Sequence, residues 1–333
     1  MSLIKIMNER AGMFATSLLL VTAGVGCGGP SIGKIDVQLT APPVGQGFQL
    51  STPEFEVPAG AEVQDCYFVQ TPNVETWVNH IITAQNPGTH HMNLFRLGTK
   101  GALWGNPGDV VHGGECWNSG NWADWPLVAN SQISTPTNPV NDWTLPDGVG
   151  MKFDPNEVLM LQTHYINATV QKTPGEGHVL INLFSQPKES FTMELGTFFA
   201  TNQNIRICPG EIDKSFSASC LFASAPVTIT AANSHFHSHG IEFDISTVDA
   251  QGVETPFYHN TSWDSPLWDT NLNIPIAPGG GISYTCAYTV EPTDCGDPND
   301  QCCVDFGPHN QTQEHCNVFL YYYPKLPSQV VCF

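Results

Sequence analysis

Twelve histidines stand in a chain of 333 residues, and their placement is uneven. His90 and His91 are adjacent, His164 lies in Leu161-Gln162-Thr163-His164-Tyr165, and His235, His237 and His239 alternate. His315 immediately precedes Cys316. Imidazole groups of this kind suit Zn, Cu, Fe or Ni. On a strand, residues two apart share a face at ~6.6 Å, so His235 and His237 can converge on one ion. His239 shares their parity but lies ~13 Å from His235 on a straight strand. It is a poor third ligand, and the third should come from another strand. His90 and His91 would face opposite ways on a regular strand. Both can serve one ion only if the backbone bends, and the preceding Asn86-Pro87-Gly88 turn allows that. His80, His112, His178, His259 and His309 stand alone and read as ordinary surface or core histidines.

The elements that must position these residues read as strands. β-rich or alternating runs recur at 35–39, 66–70, 78–84, 93–97, 158–166, 178–184, 227–230, 241–248, 281–290 and 317–323. Turn-formers separate them, as in Pro146-Asp147-Gly148 and Pro278-Gly279-Gly280-Gly281. No stretch carries a sustained helical period. The expected fold is all-β, with two tandem antiparallel, jelly-roll-like β-sandwiches over residues 34–187 and 188–333 and a boundary near Gln186-Pro187-Lys188. Residues 98–141, rich in Gly, Trp, Asn and Pro, read as an ordered irregular excursion. Charged residues make up only 13% of the chain, which argues against a helical bundle, and 41% hydrophobic content argues against disorder. The net charge is −20 with no basic cluster, which excludes a nucleic-acid partner.

Residues 1–26 read as an export signal. Lys5 and Arg10 precede an apolar stretch containing Leu18-Leu19-Leu20-Val21, and Gly24-Val25-Gly26-Cys27 resembles a bacterial lipobox. The expectation is a periplasmic or cell-surface lipoprotein of a bacterium. Lipidated Cys27 would be its only membrane contact. The other ten cysteines are an even number, and an oxidising compartment allows up to five disulfides. A zinc site on Cys295, Cys302 and Cys303 is conceivable but lacks a C-x-x-C pair. Asn167, Asn260 and Asn310 lie in glycosylation sequons and read as chance matches in such a lipoprotein.

Four blocks in order resemble the copper type II, ascorbate-dependent monooxygenases, the group that contains peptidylglycine α-hydroxylating monooxygenase and dopamine β-monooxygenase. The first is Thr89-His90-His91-Met92-Asn93-Leu94-Phe95. The second joins Leu145-Pro146-Asp147-Gly148-Val149-Gly150 to the His164 segment. The third is Ile207-Cys208-Pro209-Gly210-Glu211, then Cys220 and the His-x-His run, and the fourth is 316–323. The resemblance covers most of the chain after the signal. It implies two sandwiches facing each other across a solvent-filled cleft, in a monomer with two coppers per chain. His90, His91 and His164 would hold an electron-transfer copper. His235, His237 and one further ligand would hold the catalytic, oxygen-activating copper. Ascorbate or another one-electron donor and O2 would then hydroxylate a C–H bond of a small-molecule substrate. The implied disulfides are Cys286–Cys316 and Cys220–Cys332. Cys66–Cys116 is a conjectured third, and the pairing among Cys208, Cys295, Cys302 and Cys303 is open.

The chain departs from the family at three positions. His315 replaces the family's Met ligand, and imidazole favours Cu(II) more than a soft thioether does. Asn233 stands where the peptide-specific members carry Arg, and Phe319 where they carry Tyr, although Asn317 is kept. Without a bidentate Arg a carboxylate substrate loses its anchor, so a peptidylglycine is not the expected substrate. Asn233 and Asn317 are weak substrate-binding candidates. The alternative is a non-catalytic copper-binding or electron-transfer surface lipoprotein on the same scaffold. A structural lipoprotein with incidental histidines would show no tight metal site. A zinc hydrolase would need a general base, for which Glu314 is the one obvious candidate.

Overall fold

The computed structural model describes residues 37–97, 105–117, 126–132, 140–167, 175–291 and 302–332. The signal segment with Cys27, and Cys295, lie outside them. The described chain is all-β, with only the four-residue helix Gly114–Trp117 and a 3₁₀ turn at Lys188–Ser190 besides strands. Among the described residues no helix is long and apolar enough to cross a membrane.

In the first half, a six-stranded sheet runs Gly47–Ser51, Val179–Gln186, Thr76–Gln85, Val149–Phe153, Met193–Glu194, with Val140–Thr144 also paired to Thr76–Gln85. A five-stranded sheet runs Val110–His112, Glu62–Gln70, Val158–Ile166, Thr89–Arg96, Leu127–Ser131. Leu50, Val78, Ile81, Phe95, Met151, Phe153, Leu161 and Ile181 fill the space between them. The second half sets a six-stranded sheet built on Val227–His235, Asn317–Tyr323 and Gly196–Thr201 against a four-stranded sheet, Lys214–Leu221, Gly281–Tyr288, Gly240–Val248, Glu254–Asn260. Its core includes Ile229, Phe243, Ile245, Ile282, Tyr284, Val318 and Leu320.

Two expectations about strands need correction. Residues 37–39 are not a strand; Val37 and Leu39 instead pack on Ala84 and Leu180. The stretch expected to be irregular contains Leu127–Ser131, a wholly buried edge strand paired with Thr89–Arg96. Its composition hides it, because Ala, Asn and Ser break the β-branched pattern.

The three anticipated disulfides are present: Cys66–Cys116, Cys220–Cys332 and Cys286–Cys316. A fourth joins Cys208 to Cys303, and Cys302 is disulfide-bonded as well. The zinc reading is thereby overturned, since Cys302 and Cys303 offer no thiolate. The disulfides among the described residues indicate folding in an oxidising environment.

The expected solvent-filled cleft is also corrected, because the halves pack against each other. Phe199, Ala231, Phe319 and Tyr321 of the second half belong to the same apolar cluster as the first core. Trp143 meets Trp268 and Tyr321 edge-on, at 5.5 and 4.7 Å between ring centroids. Each aromatic ring buries on the order of 150–250 Å². At roughly 25 cal/mol per Å², exposing three of them would cost several kcal/mol, so closure is favoured.

Candidate metal centre

The packed interface places the six anticipated ligand histidines in one cluster. His90, His91, His164, His235, His237 and His315 are all buried, none more than 5% exposed. The His90 ring lies 5.2 Å from His91, 5.0 Å from His164, 4.9 Å from His235 and 5.3 Å from His237. His315 is 4.3 Å from His237 and 5.2 Å from His235.

Backbone irregularities aim these rings. His164 opposes His91 and Tyr165 opposes Thr89, so His90 is the extra residue of a β-bulge. A bulge re-aims a side chain, and here it lets two adjacent histidines serve one site. His235 ends its strand, and the chain turns before Gly240–Val248, with the Gly240 N–H donating to the His237 carbonyl at 3.0 Å. A Cβ on Gly240 would fall inside the Phe236 ring, so the turn requires glycine. His315 follows the short strand Gln313–Glu314, and the disulfide at Cys316 anchors its other side. His239 points away and contacts Glu314 at 3.2 Å, in keeping with its exclusion as a ligand.

Hydrogen bonds fix which ring nitrogens remain available. His237 Nδ1–H donates to the Gln313 carbonyl at 2.8 Å, leaving the Nε2 lone pair free. His235 Nδ1 is 2.7 Å from Gln132 Oε1. The Gln132 amide NH₂ donates to Asn233 Oδ1 and to the Ser234 carbonyl, so its oxygen is the acceptor and His235 Nδ1 carries the proton. His164 Nε2 lies 2.6 Å from the Glu62 carboxylate. His90 Nε2, His91 Nδ1, His164 Nδ1, His235 Nε2 and His237 Nε2 are buried with no hydrogen-bond partner. Orphaned buried nitrogens are costly, and their convergence is what a metal site requires. Burial, and then mutual repulsion, holds His90, His91, His235 and His315 well below the usual imidazole range. Burial brings His237 down to about 3. Burial also lowers His164, against the opposing pull of Glu62. All six are neutral at pH 7 and can act as ligands.

The ligand atoms of His235, His237 and His315 lie within 4.8 Å of one another, as the resemblance implied. The first set differs. The atoms that meet within that distance belong to His90, His91 and His235, and His164 is in neither triad. A third group, Glu242, Asp244 and His259, lies on a solvent-facing hairpin, where His259 pairs with Asp244 at 2.8 Å. His80 and His112 likewise pair with Asp142 and Asp65, outside the cluster.

No family model matches the chain, and no curated protein does. Solved structures similar to it include the STIV MCP, at 10% identity over 85% of this chain and 98% of that one, with a TM-score of 0.35. Another is an archaeal virus protein described by its triple jelly roll fold, at 7% identity over 87% of this chain and 62% of that one, TM-score 0.21. A third is the infectious bursal disease virus VP2 subviral particle, at 11% identity over 83% and 72%, TM-score 0.21. At these scores the likenesses carry no argument about function.

Other anticipated roles change. Asn233 is buried, accepting from Gln132 and donating to the Leu267 carbonyl at 3.3 Å, so it is a structural amide and not a substrate contact. Asn317 is buried opposite His235 in the strand register. Glu314 is fully buried and accepts the N–H groups of His237 and His239 at 2.7 and 2.8 Å, which leaves it no freedom to act as a base. The sequon residues Asn167, Asn260 and Asn310 are buried, as chance matches would be.

Three residues around the ligands carried no signal in the sequence. Gln132 reaches His235 across the interface. Glu62 accepts from His164 and from the Asn310 N–H at 3.2 Å, and Gln64 donates to the Pro308 carbonyl at 3.1 Å. Replacing Gln132 by Leu should weaken metal binding by about 10–100-fold, since His235 loses the acceptor that fixes its tautomer. A competition titration against a chromophoric chelator measures this, and an unchanged affinity would show that Gln132 does not orient His235.

Proposed function

We propose that the chain is an exported copper-dependent monooxygenase that hydroxylates a C–H bond of a small molecule, anchored through lipidated Cys27. The observation that carries the reading is the convergence of six buried neutral imidazoles, five of them with an orphaned ring nitrogen. An all-imidazole donor set in an oxidising compartment fits copper. Zinc hydrolysis is disfavoured because Glu314 is spent on backbone N–H groups. Bound copper would supply one-electron chemistry linking a donor such as ascorbate to O2 and a C–H bond. The protein's own part is positional. Glu62 raises the basicity of His164, and Gln132 and the Gln313 carbonyl hold His235 and His237 with Nε2 lone pairs inward. Trp263, Phe319 and Phe306 pack their rings against His90, His235 and His315.

The test is copper content after reconstitution and desalting, followed by ascorbate-dependent oxygen uptake under ¹⁸O₂ with a panel of small C–H compounds. Uptake matched by an ¹⁸O-labelled hydroxylated product is the expected result. Peroxide alone, whatever compound is offered, would sink the monooxygenase reading. The second reading, copper holding or electron transfer without hydroxylation, would then stand. The burial of all six imidazoles and the imidazole in place of the thioether favour it.

A further inference from the structure

The structure assigns one metal ion to a site that straddles the two halves, formed by His90 and His91 of the first sandwich and His235 of the second. The inference rests on the copper reading above and goes beyond it in the ligand set. The ligand atoms of these three residues lie within 4.8 Å of one another, and each residue contributes a buried nitrogen with no hydrogen-bond partner. His164 also keeps an unpartnered Nδ1 but joins neither triad; its Nε2 is tied to Glu62, and its ring meets His90 and His91 edge-on at 82° and 81°.

His235 also belongs to the triad with His237 and His315. Its Nδ1–H is committed to Gln132, so only Nε2 can ligate, and one lone pair serves one ion. In this closed arrangement the two triads therefore cannot both be filled. A metal held in the straddling triad clasps the halves together. Closure in turn builds the site, because Gln132, which sets the His235 tautomer, comes from the opposite half.

Cu(I) titration in competition with a chromophoric chelator tests this on the full-length mature chain and three variants. His235→Ala should weaken the first equivalent by about 100-fold or more, and by clearly more than either His164→Ala or His237→Ala. A first equivalent lost in His164→Ala and retained in His235→Ala would overturn the straddling site while leaving copper binding intact. Failure of the unmodified chain to take up any copper would remove both this site and the function proposed above. Hydrogen exchange of the unmodified protein decides the matter should a variant fail to fold. One equivalent should protect Thr89–Arg96 and Val227–His235 together. Protection confined to Thr89–Arg96 and Val158–Ile166 would again overturn the assignment.

Discussion

The metal-free protein should lose several kcal/mol of stability between pH 7.5 and 5.5. The six clustered imidazoles are held neutral by burial, with folded pKa values below the ordinary 6.5. In the unfolded chain the same groups titrate near 6.5. Below that pH the unfolded state binds more protons than the folded one, so stability falls with falling pH. The loss begins near 6.5 and continues down towards the folded values, to about 3 for His237. Each imidazole contributes up to about 1.4 kcal/mol per pH unit in that window. Glu314 acts in the opposite direction, because burial raises its pKa and its protonation favours the folded state as pH falls. One carboxyl does not offset six imidazoles. Domains are commonly stable by only about 5–15 kcal/mol, so the loss would be a large share. Urea unfolding at the two pH values measures it, and equal midpoints would show that the cluster is not buried in the metal-free state. Saturating copper should reduce the difference, since bound ions compete with protons for the same nitrogens.

Much of the centre is legible in the sequence because strand geometry is regular. Residues two apart share a face, which singled out His235 and His237 and discounted His239. Turn-formers and apolar runs located Val158–Ile166 and Asn317–Tyr323 at their observed bounds. Other features depend on partners distant in the chain. The bulge at His90 exists only through its pairing with Val158–Ile166, so the adjacent pair alone showed the need for a bend but not its place. The strand Lys214–Leu221 alternates exposed Ser215, Ser217 and Ser219 with inward Phe216, Ala218 and Cys220, but Ser, Ala and Cys carry too little β-forming weight to mark it among the runs. The closed interface rests on Trp143, Trp268 and Tyr321, none of which marks itself as an interface residue by local pattern. The grouping of His235 with His90 and His91 follows from that closure, which is why the family resemblance put His164 in the third position.

Truncating Glu314 should be among the most damaging single changes, and through binding and stability before turnover. Its carboxylate accepts the N–H groups of His237 at 2.7 Å, His239 at 2.8 Å and His315 at 3.3 Å, and also meets His239 Nδ1 at 3.2 Å. One buried side chain thus sets the backbone on both sides of the second triad. Glu314→Ala leaves three N–H donors without their acceptor, each at about 1–3 kcal/mol, so a total loss of roughly 3–9 kcal/mol is expected. Glu314→Gln keeps the volume and one acceptor oxygen but turns an amide NH₂ towards N–H groups that need an acceptor. It should fall between Ala and the unmodified protein. Chemical denaturation and copper titration of the three proteins give the order directly. A general base would behave differently, because its removal would abolish turnover while stability and metal affinity stayed the same. If Glu314→Ala kept both, the carboxylate would be free for chemistry, and the hydrolytic reading would regain the base that this geometry denies it.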